Sequence, residues 1–208
     1  MAKILNLYAG IGGNRKLWGL DHDITAVEHN EEIASLYQKY YPDDTVIVCD
    51  AHQYLLDHLQ DGWDFIWSSP PCPTHSRINT DGRLPPRYPD MSLYQQIIML
   101  GNNWYNGKWV VENVIPYYEP LINPTVKIDR HYYWCNYKVR SITVNKEKPV
   151  EHQTASLGRY GFNISNEKIK HRKDTILRNL VNPEVGKYFV DRALDIVESE
   201  NVSQQTLF

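Results

Sequence analysis

The sequence of 208 residues has few cysteines and no long apolar run. Its three cysteines, Cys49, Cys72 and Cys135, form neither a CxxC pair nor an even disulfide framework, so we predict reduced thiols, a cytoplasmic protein and no metal site. No apolar stretch approaches the roughly 20 residues that a membrane-spanning helix needs, and the start, MAKILNLYAG, lacks the long apolar core of a signal peptide. No membrane partner is therefore expected.

Internal repeats and low-complexity tracts are absent as well, which argues against a solenoid or an extended linker. The length predicts one domain, or one domain with a small appendage. Hydrophobic residues make up 42% of the chain, a fraction typical of a globular protein.

Charge is distributed unevenly along the chain. Residues 1–126 hold 8 Lys and Arg against 15 Asp and Glu, residues 127–173 hold 11 against 4, and residues 174–208 hold 3 against 6. Aromatic residues interleave with the basic ones, and such a mixture suits a surface that holds phosphates and stacks on bases. The basic segment therefore predicts a nucleic-acid surface, although a solvated face is the simpler alternative. The aromatic candidates are His131, Tyr132, Tyr133, Trp134, Tyr137, Tyr160 and Phe162.

Short apolar runs alternate with amphipathic segments in the first half of the chain. The pattern predicts strands at 3–9, 24–27, 45–49, 63–67 and 109–112, and helices at 14–20, 31–41, 52–60 and 91–105. Strands and helices in alternation predict βαβ units, and hence an α/β fold with a mostly parallel, Rossmann-like sheet.

Polar residues follow the predicted strands where they end. They are the turn Gly10 to Gly13, Glu28, Asp50, the stretch from Ser68 to Cys72, and Glu112 with Asn113. In an open parallel sheet these ends share one edge, where ligands bind. A glycine turn after the first strand with an acid after the second is typical of a nucleoside site. Asp50 has a simpler alternative role as a helix N-cap.

Four stretches in this order, "NLYAGIGG", "VEHN", "SSPPCPTHS" and "VVENV", resemble the motifs of DNA cytosine-5 methyltransferases. Weaker matches are "IDRHYYW" and "RNLVNPEVG", so the resemblance spans about residues 3 to 195. Pro-Pro-Cys followed by Glu-Asn-Val, both at predicted strand ends, is the most specific part. The resemblance implies the methyltransferase version of the Rossmann-like fold.

The resemblance also implies a covalent mechanism on a cytosine flipped out of double-stranded DNA. Cys72 is the nucleophile that attacks C6, which turns C5 into a position that accepts a methyl group. Glu112 holds N3 of the ring, Asn113 supports the turn that presents Glu112, and Arg130 touches the flipped base. Methyl transfer needs S-adenosyl-L-methionine, and the residues assigned to it are Tyr8, Gly10, Gly12, Glu28, Asp50, Pro70 and Asn179.

Departures from the family's pattern limit what carries over. The usual Gln-x-Arg-x-Arg is reduced to Lys127 and Arg130, and fewer than 50 residues separate Arg130 from Asn179, where the family has a long recognition region. We therefore predict a core at 1–126, a small recognition segment at 127–173, a C-terminal helix at 174–200 and a tail at 201–208. His75 is expected to pack within its loop. The residues predicted to contact DNA are Arg77, Arg83, Arg87, Lys138, Arg140, Lys170 and Arg172.

The chain ends in SQQTLF, in which Gln204, Leu207 and Phe208 resemble the short motif that docks bacterial DNA-processing proteins on the sliding clamp. The alternative is that Leu207 and Phe208 fold back on the core. A clamp contact and the compact size would fit a phage or restriction-modification enzyme acting in a bacterial or phage-infected cell.

Three other functions stay open at this stage. An RNA cytosine methyltransferase would use the same fold and the same thiol. A non-catalytic DNA-binding protein would bind the cofactor without turnover. An amino-group methyltransferase is disfavoured, because it would carry an aromatic residue in place of Cys72.

Overall fold

The computed structural model describes residues 1–80, 85, 87–145 and 158–196. A seven-stranded sheet in the order β3-β2-β1-β4-β5-β7-β6 forms its centre. The first five strands run parallel, and β7 is antiparallel to both of its neighbours. The strands are Lys3–Leu7 (β1), Asp23–Val27 (β2), Thr45–Ile47 (β3), Phe65–Ser68 (β4), Lys108–Val114 (β5), Val126–Ile128 (β6) and His131–Cys135 (β7).

Helices cover both faces of the sheet, which explains why its central strands are apolar on both sides. All four residues of β4 are buried, as are the last four of β1. The five α-helices are Glu31–Tyr40 (α1), Ala51–His58 (α2), Ser92–Gly101 (α3), Lys173–Arg178 (α4) and Pro183–Ala193 (α5). Short 3₁₀ helices span Asn14–Leu17 and Arg77–Thr80.

Local sequence sets where the helices begin. The Asn30 side chain accepts hydrogen bonds from two backbone N–H groups of α1, and the Asp50 side chain caps α2 in the same way. Asn182 caps α5, and Pro183 follows at the first helical position, where its missing N–H costs nothing. Each cap fixes the helix directly after a strand end or a turn.

Two hydrophobic cores lie on opposite faces of the sheet. The first packs α2 and α3 against β1, β4 and β5 around Leu5, Ile66 and Trp109. The second packs α5 against the other face, where Phe189 stacks on Tyr133 with ring centroids 4.7 Å apart. Both cores are continuous with the sheet, so the fold-class prediction is confirmed: the chain has a mostly parallel, Rossmann-like α/β fold.

The boundary predicted at residue 127 falls inside β6. Strands β6 and β7 complete the main sheet, so residues 126–135 belong to the core and not to a separate recognition segment. The described remainder of the basic segment holds a two-stranded sheet of Gly158–Arg159 (β8) and Phe162–Asn163 (β9). The predicted C-terminal helix is two helices, α4 and α5.

Several aromatic residues predicted to stack on bases are structural instead. Tyr133, Trp134 and Phe162 are each at least 98% buried. Trp134 packs in the first core, Tyr133 in the second, and Phe162 in a separate apolar cluster. The sequence prediction failed there because alternation in β7 was hidden by a run of aromatic residues on both faces. None of the helices in the described parts of the chain is long and apolar enough to cross a bilayer.

Candidate active site at the carboxyl edge of the sheet

The loop carrying Cys72 leaves β4 and is held to the neighbouring strands. The Ser69 N–H donates to the Leu7 carbonyl of β1, and the Asn113 side-chain amide donates to the Pro70 carbonyl over 2.9 Å. Asn113 is 99% buried, so this bond is shielded from water. The sequence predicted that Asn113 supports the backbone that presents Glu112. Its Oδ1 accepts the neighbouring Val114 N–H over 2.9 Å, and its amide also holds the Pro-Pro-Cys loop.

The residues after Cys72 fold into a tight turn that rests on a second segment. The Cys72 carbonyl accepts hydrogen bonds from the N–H groups of His75 and Ser76, each over 3.0 Å. His75 is 99% buried, its Nδ1 lies 2.5 Å from the Tyr118 hydroxyl, and its carbonyl accepts from the Tyr117 N–H. His75 therefore packs within the loop as predicted, and the half-buried thiol is fixed from both sides.

Glu112 lies near this thiol at the end of β5. The Glu112 side chain is buried. Burial of the Cys72 thiol, and to a smaller extent the negative charge of Glu112, raises the pKa of Cys72 to about 11. The imidazole Nε2 of His131, on β7, lies 3.4 Å from Glu112 Oε1. Sequence reasoning did not identify His131 as a partner of Glu112. The only sequence signal for this role was the position of His131 next to Arg130.

This arrangement predicts how the thiol reacts with an alkylating reagent. Because the pKa of Cys72 is about 11, iodoacetamide should modify Cys72 slowly at neutral pH, and the rate should rise about tenfold per pH unit until the pH nears that value. Removing the Glu112 charge in Glu112→Gln should lower this pKa and speed the modification at pH 9. Peptide mass spectrometry measures the rate at each cysteine.

Cys135 is the internal control for this experiment. Burial also raises the pKa of Cys135, but Glu112 does not contribute to that shift. Equal acceleration at Cys72 and Cys135 in Glu112→Gln would mean general loosening of the fold. No acceleration at Cys72 would contradict the electrostatic coupling.

The glycine turn follows β1 at the same edge of the sheet. Gly10 has a φ of +57°, and a Cβ built on it meets no atom within 4 Å, so the space beside it is open. The Gly10 N–H donates to Glu28 Oε2 over 3.1 Å, and the Asn30 N–H donates to Oε1 over 3.0 Å. These bonds hold the buried Glu28 carboxylate at the end of β2, beside the turn.

Three other residues assigned to the cofactor have additional structural roles. Gly12 has a φ of +82°, and a Cβ there would lie 2.2 Å from the Tyr41 ring, so close packing alone requires glycine. Asp50 accepts the Gln53 N–H as the N-cap of α2 and is exposed at the end of β3. Asn179 is exposed and ends α4, next to the Leu180–Val181 stretch that packs against Gly13.

A buried amide, which sequence reasoning missed, links the end of β4 to the residue that follows β1. Gln96 of α3 is fully buried, and its Oε1 accepts the Ser68 hydroxyl over 2.6 Å. Its Nε2 donates to the Tyr8 hydroxyl over 2.8 Å and faces His52 Nδ1 at 3.1 Å. A glutamine within an apolar helix face was the available signal, since a buried amide needs hydrogen-bond partners.

Three of the seven residues predicted to contact DNA, Arg77, Arg87 and Lys170, lie at the edge of the sheet that carries the thiol, as does Arg130. Arg77 follows the Cys72 turn, the Arg87 carbonyl accepts the Tyr117 hydroxyl, and Arg130 is exposed between β6 and β7. The Lys170 N–H donates to Glu32 at the start of α1, which begins at the same edge. Arg172 pairs with Asp174, and Arg83 lies outside the described residues.

Lys138 and Arg140 do not join this group. The neighbouring Asn136 bonds to Trp109 N–H and to the Gly107 carbonyl, where β5 begins, so Lys138 leaves β7 at the opposite edge of the sheet. Arg140 bonds through its backbone to the Tyr188 hydroxyl in the middle of α5. Basic composition indicated a nucleic-acid surface, but it carries no information on which edge each side chain occupies.

No protein-family model matches this chain, and a comparison with curated protein sequences found no relative. Solved structures that are similar to it include a Spodoptera frugiperda DNMT2 mutant, with 29% identity, a TM-score of 0.40, and coverage of 55% of this chain and 36% of the other. The Schizosaccharomyces pombe Dnmt2 methyltransferase has 18% identity, a TM-score of 0.46, and coverage of 67% and 52%.

A third similar structure is a protein assigned as a prophage-encoded DNA modification methyltransferase of Escherichia coli, with 16% identity, a TM-score of 0.38, and coverage of 57% and 34%. This chain thus spans between about a third and a half of these three proteins. Since all three TM-scores lie below 0.5, function has to be inferred from the geometry of the site.

Proposed function

We propose that the chain is a cytosine-5 methyltransferase that acts on double-stranded DNA and uses S-adenosyl-L-methionine. The observation that carries the proposal is the buried hydrogen bond from Asn113 to the Pro70 carbonyl. It ties the loop of the Cys72 thiol to β5, the strand that carries Glu112, and the charge of Glu112 acts on that thiol. Attack on a cytosine ring needs both groups, because addition at C6 places charge on the ring.

In this mechanism the Glu112 carboxylate takes the proton of the Cys72 thiol, Cys72 Sγ adds to C6 of a flipped cytosine, and Glu112 passes that proton to N3. The C6–S bond and the protonated N3 leave an electron-rich C5. The cofactor supplies a methyl group on a sulfonium, which C5 takes. A water molecule then takes the C5 proton, the C6–S bond breaks and the aromatic ring is restored. N3 returns its proton to Glu112, which gives it back to the Cys72 thiolate.

The residues at the glycine turn fit the cofactor. The open space beside Gly10 admits a ligand close to the backbone, and the adjacent Glu28 carboxylate is a suitable acceptor for ribose hydroxyl groups. Tyr8 and Asp50 lie at the ends of β1 and β3, on either side of Glu28 in the sheet order. They would hold the adenine end, while Gly10 and Gly12 would lie along the methionine part.

The basic residues at the thiol edge give a prediction on DNA binding. Arg77→Gln/Lys170→Gln should weaken binding to duplex DNA and reduce the slope of log affinity against log salt by about 0.9 per lost phosphate contact. Fluorescence anisotropy over a range of salt concentrations measures this slope. Lys108→Gln/Lys138→Gln removes equal charge at the opposite edge and should leave the slope unchanged. Equal slopes for both pairs would contradict the assignment of the DNA surface.

Substrate class is tested by expression in a methylation-deficient bacterium. We expect 5-methylcytosine in genomic DNA at a short recurring site, detected by sequencing that distinguishes the modified base. Methylation confined to RNA would favour the RNA alternative. Cofactor binding without methylation of either nucleic acid would favour a non-catalytic role.

The C-terminal residues Gln204, Leu207 and Phe208 lie outside the described residues, so the clamp contact rests on sequence. A peptide covering residues 199–208 should bind a bacterial sliding clamp with a Kd in the range of about 1–100 µM. Isothermal titration calorimetry measures it, with the Leu207→Ala/Phe208→Ala peptide as the control. Equal binding by both peptides, or none by either, would remove the clamp as a partner. Such docking would raise the local DNA concentration for an enzyme with a small recognition segment.

A further inference from the structure

The buried amide of Gln96 leaves the proton of the Tyr8 hydroxyl without a partner among the residues that the structure describes. Both hydrogens of Nε2 are used, one by the Tyr8 hydroxyl at 2.8 Å and one by His52 Nδ1 at 3.1 Å. Oε1 accepts the Ser68 hydroxyl at 2.6 Å, so the amide is satisfied on both sides. The oxygen of Tyr8 is therefore an acceptor in this network, and its own proton must point elsewhere.

Tyr8 stays protonated at any physiological pH. Burial is the main reason that the pKa of Tyr8 is raised to about 12, and the nearby carboxylates of Asp50 and Asp90 raise it further. In the described parts of the chain, no acceptor lies within hydrogen-bonding distance of this proton. A half-buried hydroxyl with an unused proton is a donor available to a ligand.

His52 is oriented by the same amide. Since Nε2 of Gln96 can only donate, Nδ1 of His52 is the acceptor, which leaves Nε2 of His52 as the N–H donor of the ring. His52 lies in the first turn of α2, directly after Asp50 at the end of β3. Tyr8 follows the end of β1, and Asp50 and His52 follow the end of β3, so this edge of the sheet holds two donors and one acceptor.

We propose that Gln96 orients Tyr8 and His52 so that the Tyr8 hydroxyl, with His52 beside it, donates hydrogen bonds to acceptor nitrogens of the cofactor's adenine. This inference rests on the proposed function; it gives the Tyr8 hydroxyl a specific role and adds one binding residue, His52, and one positioning residue, Gln96. Adenine offers ring nitrogens as acceptors and one amino group as a donor. Two donors beside the Asp50 carboxylate are complementary to that set.

The test is isothermal titration calorimetry with S-adenosylhomocysteine, the demethylated form of the cofactor, which needs no turnover. Tyr8→Phe keeps the ring and removes only the hydroxyl, and we expect Kd to rise roughly 3- to 10-fold. Gln96→Glu keeps the shape but replaces the donor by a carboxylate, which would draw the Tyr8 proton away from the ligand. It should raise Kd to a similar extent.

The double variant distinguishes positioning from a general structural effect. If Gln96 acts through Tyr8, Tyr8→Phe/Gln96→Glu should bind no more weakly than the more affected single variant. Independent, additive losses would overturn the positioning role. Tyr105→Phe is the matched control, since it removes a buried hydroxyl that bonds to the Trp63 carbonyl far from the cleft. Its thermal stability should fall while its affinity stays at the wild-type value.

Each remaining outcome has one meaning. If wild type binds and Tyr8→Phe binds equally well, the amide is rotated, Tyr8 donates to Gln96, and the inference fails while the proposed function stands. If wild type does not bind S-adenosylhomocysteine at all, the proposed function fails and this inference with it.

Discussion

Replacing Cys72 by serine is expected to abolish methyl transfer while leaving cofactor affinity within about twofold of wild type. Serine keeps the shape of the side chain, but its alkoxide is far harder to form than a thiolate, so the loss should reach several orders of magnitude. Cofactor affinity should survive because Cys72 sits on the loop after β4, apart from the glycine turn after β1. Transfer of a labelled methyl group and calorimetry measure the two quantities.

Cys135→Ser is the control for this variant. Cys135 is also half-buried, and it ends β7 away from the thiol edge. The Cys135→Ser protein should retain full methyltransferase activity. A Cys72→Ser protein with more than about a tenth of the wild-type rate would be incompatible with a covalent thiol mechanism.

The second large effect is a split between two buried carboxylates, Glu112 and Glu28. Glu112→Gln should slow methyl transfer by a factor of about 10²–10⁴, since the amide cannot give a proton to N3, with cofactor binding unchanged. Glu28→Ala should weaken cofactor binding by about 1–3 kcal/mol through loss of a charged acceptor. Steady-state kinetics and calorimetry on both variants separate the two roles.

Thermal melting must accompany Glu28→Ala, because Glu28 also accepts the N–H groups of Gly10 and Asn30. Asp57→Ala, at an exposed carboxylate on α2, gives the baseline for removing a surface charge. The reverse pattern, with Glu112→Gln losing the cofactor and Glu28→Ala losing only rate, would exchange the two halves of the site.

Periodicity predicted the parallel part of the sheet well. Five strands and three of the helices fall within a few residues of their predicted places, because apolar runs between polar turns mark buried strands clearly. The predicted helix at 14–20 is a single 3₁₀ turn over Asn14–Leu17, held by packing against α5, where Gly186 meets the Asn14 backbone. Such a contact depends on residues far apart in sequence.

The antiparallel end of the sheet was missed for a different reason. Strands β6 and β7 carry Lys127, His131 and a run of aromatic residues, and this composition resembles an exposed nucleic-acid surface. In β7, Tyr133 and Trp134 are buried whereas His131 and Tyr132 are half-buried, a difference that composition does not reveal. The same limitation grouped Lys138 with Arg77, although the chain direction takes Lys138 to the opposite edge of the sheet.

The positions of Cys72 after β4 and of Glu112 near the end of β5 were predictable, because a motif marks each strand end. Residues that act through a partner were not, and Gln96 and His131 are the examples. Their roles appear only when the hydrogen bonds to Tyr8 and Ser68, or the 3.4 Å approach to Glu112, are known.

The central claim is a covalent bond between Cys72 and C6 of cytosine in DNA, and trapping that adduct tests it most directly. Duplex DNA containing 5-fluorocytosine would be incubated with the protein and S-adenosyl-L-methionine, because fluorine cannot leave C5 as a cation and the adduct cannot resolve. We expect a complex that survives denaturation and a nuclease-resistant mass on the peptide containing Cys72. Absence of that mass from protein that methylates unmodified DNA in parallel would contradict the account.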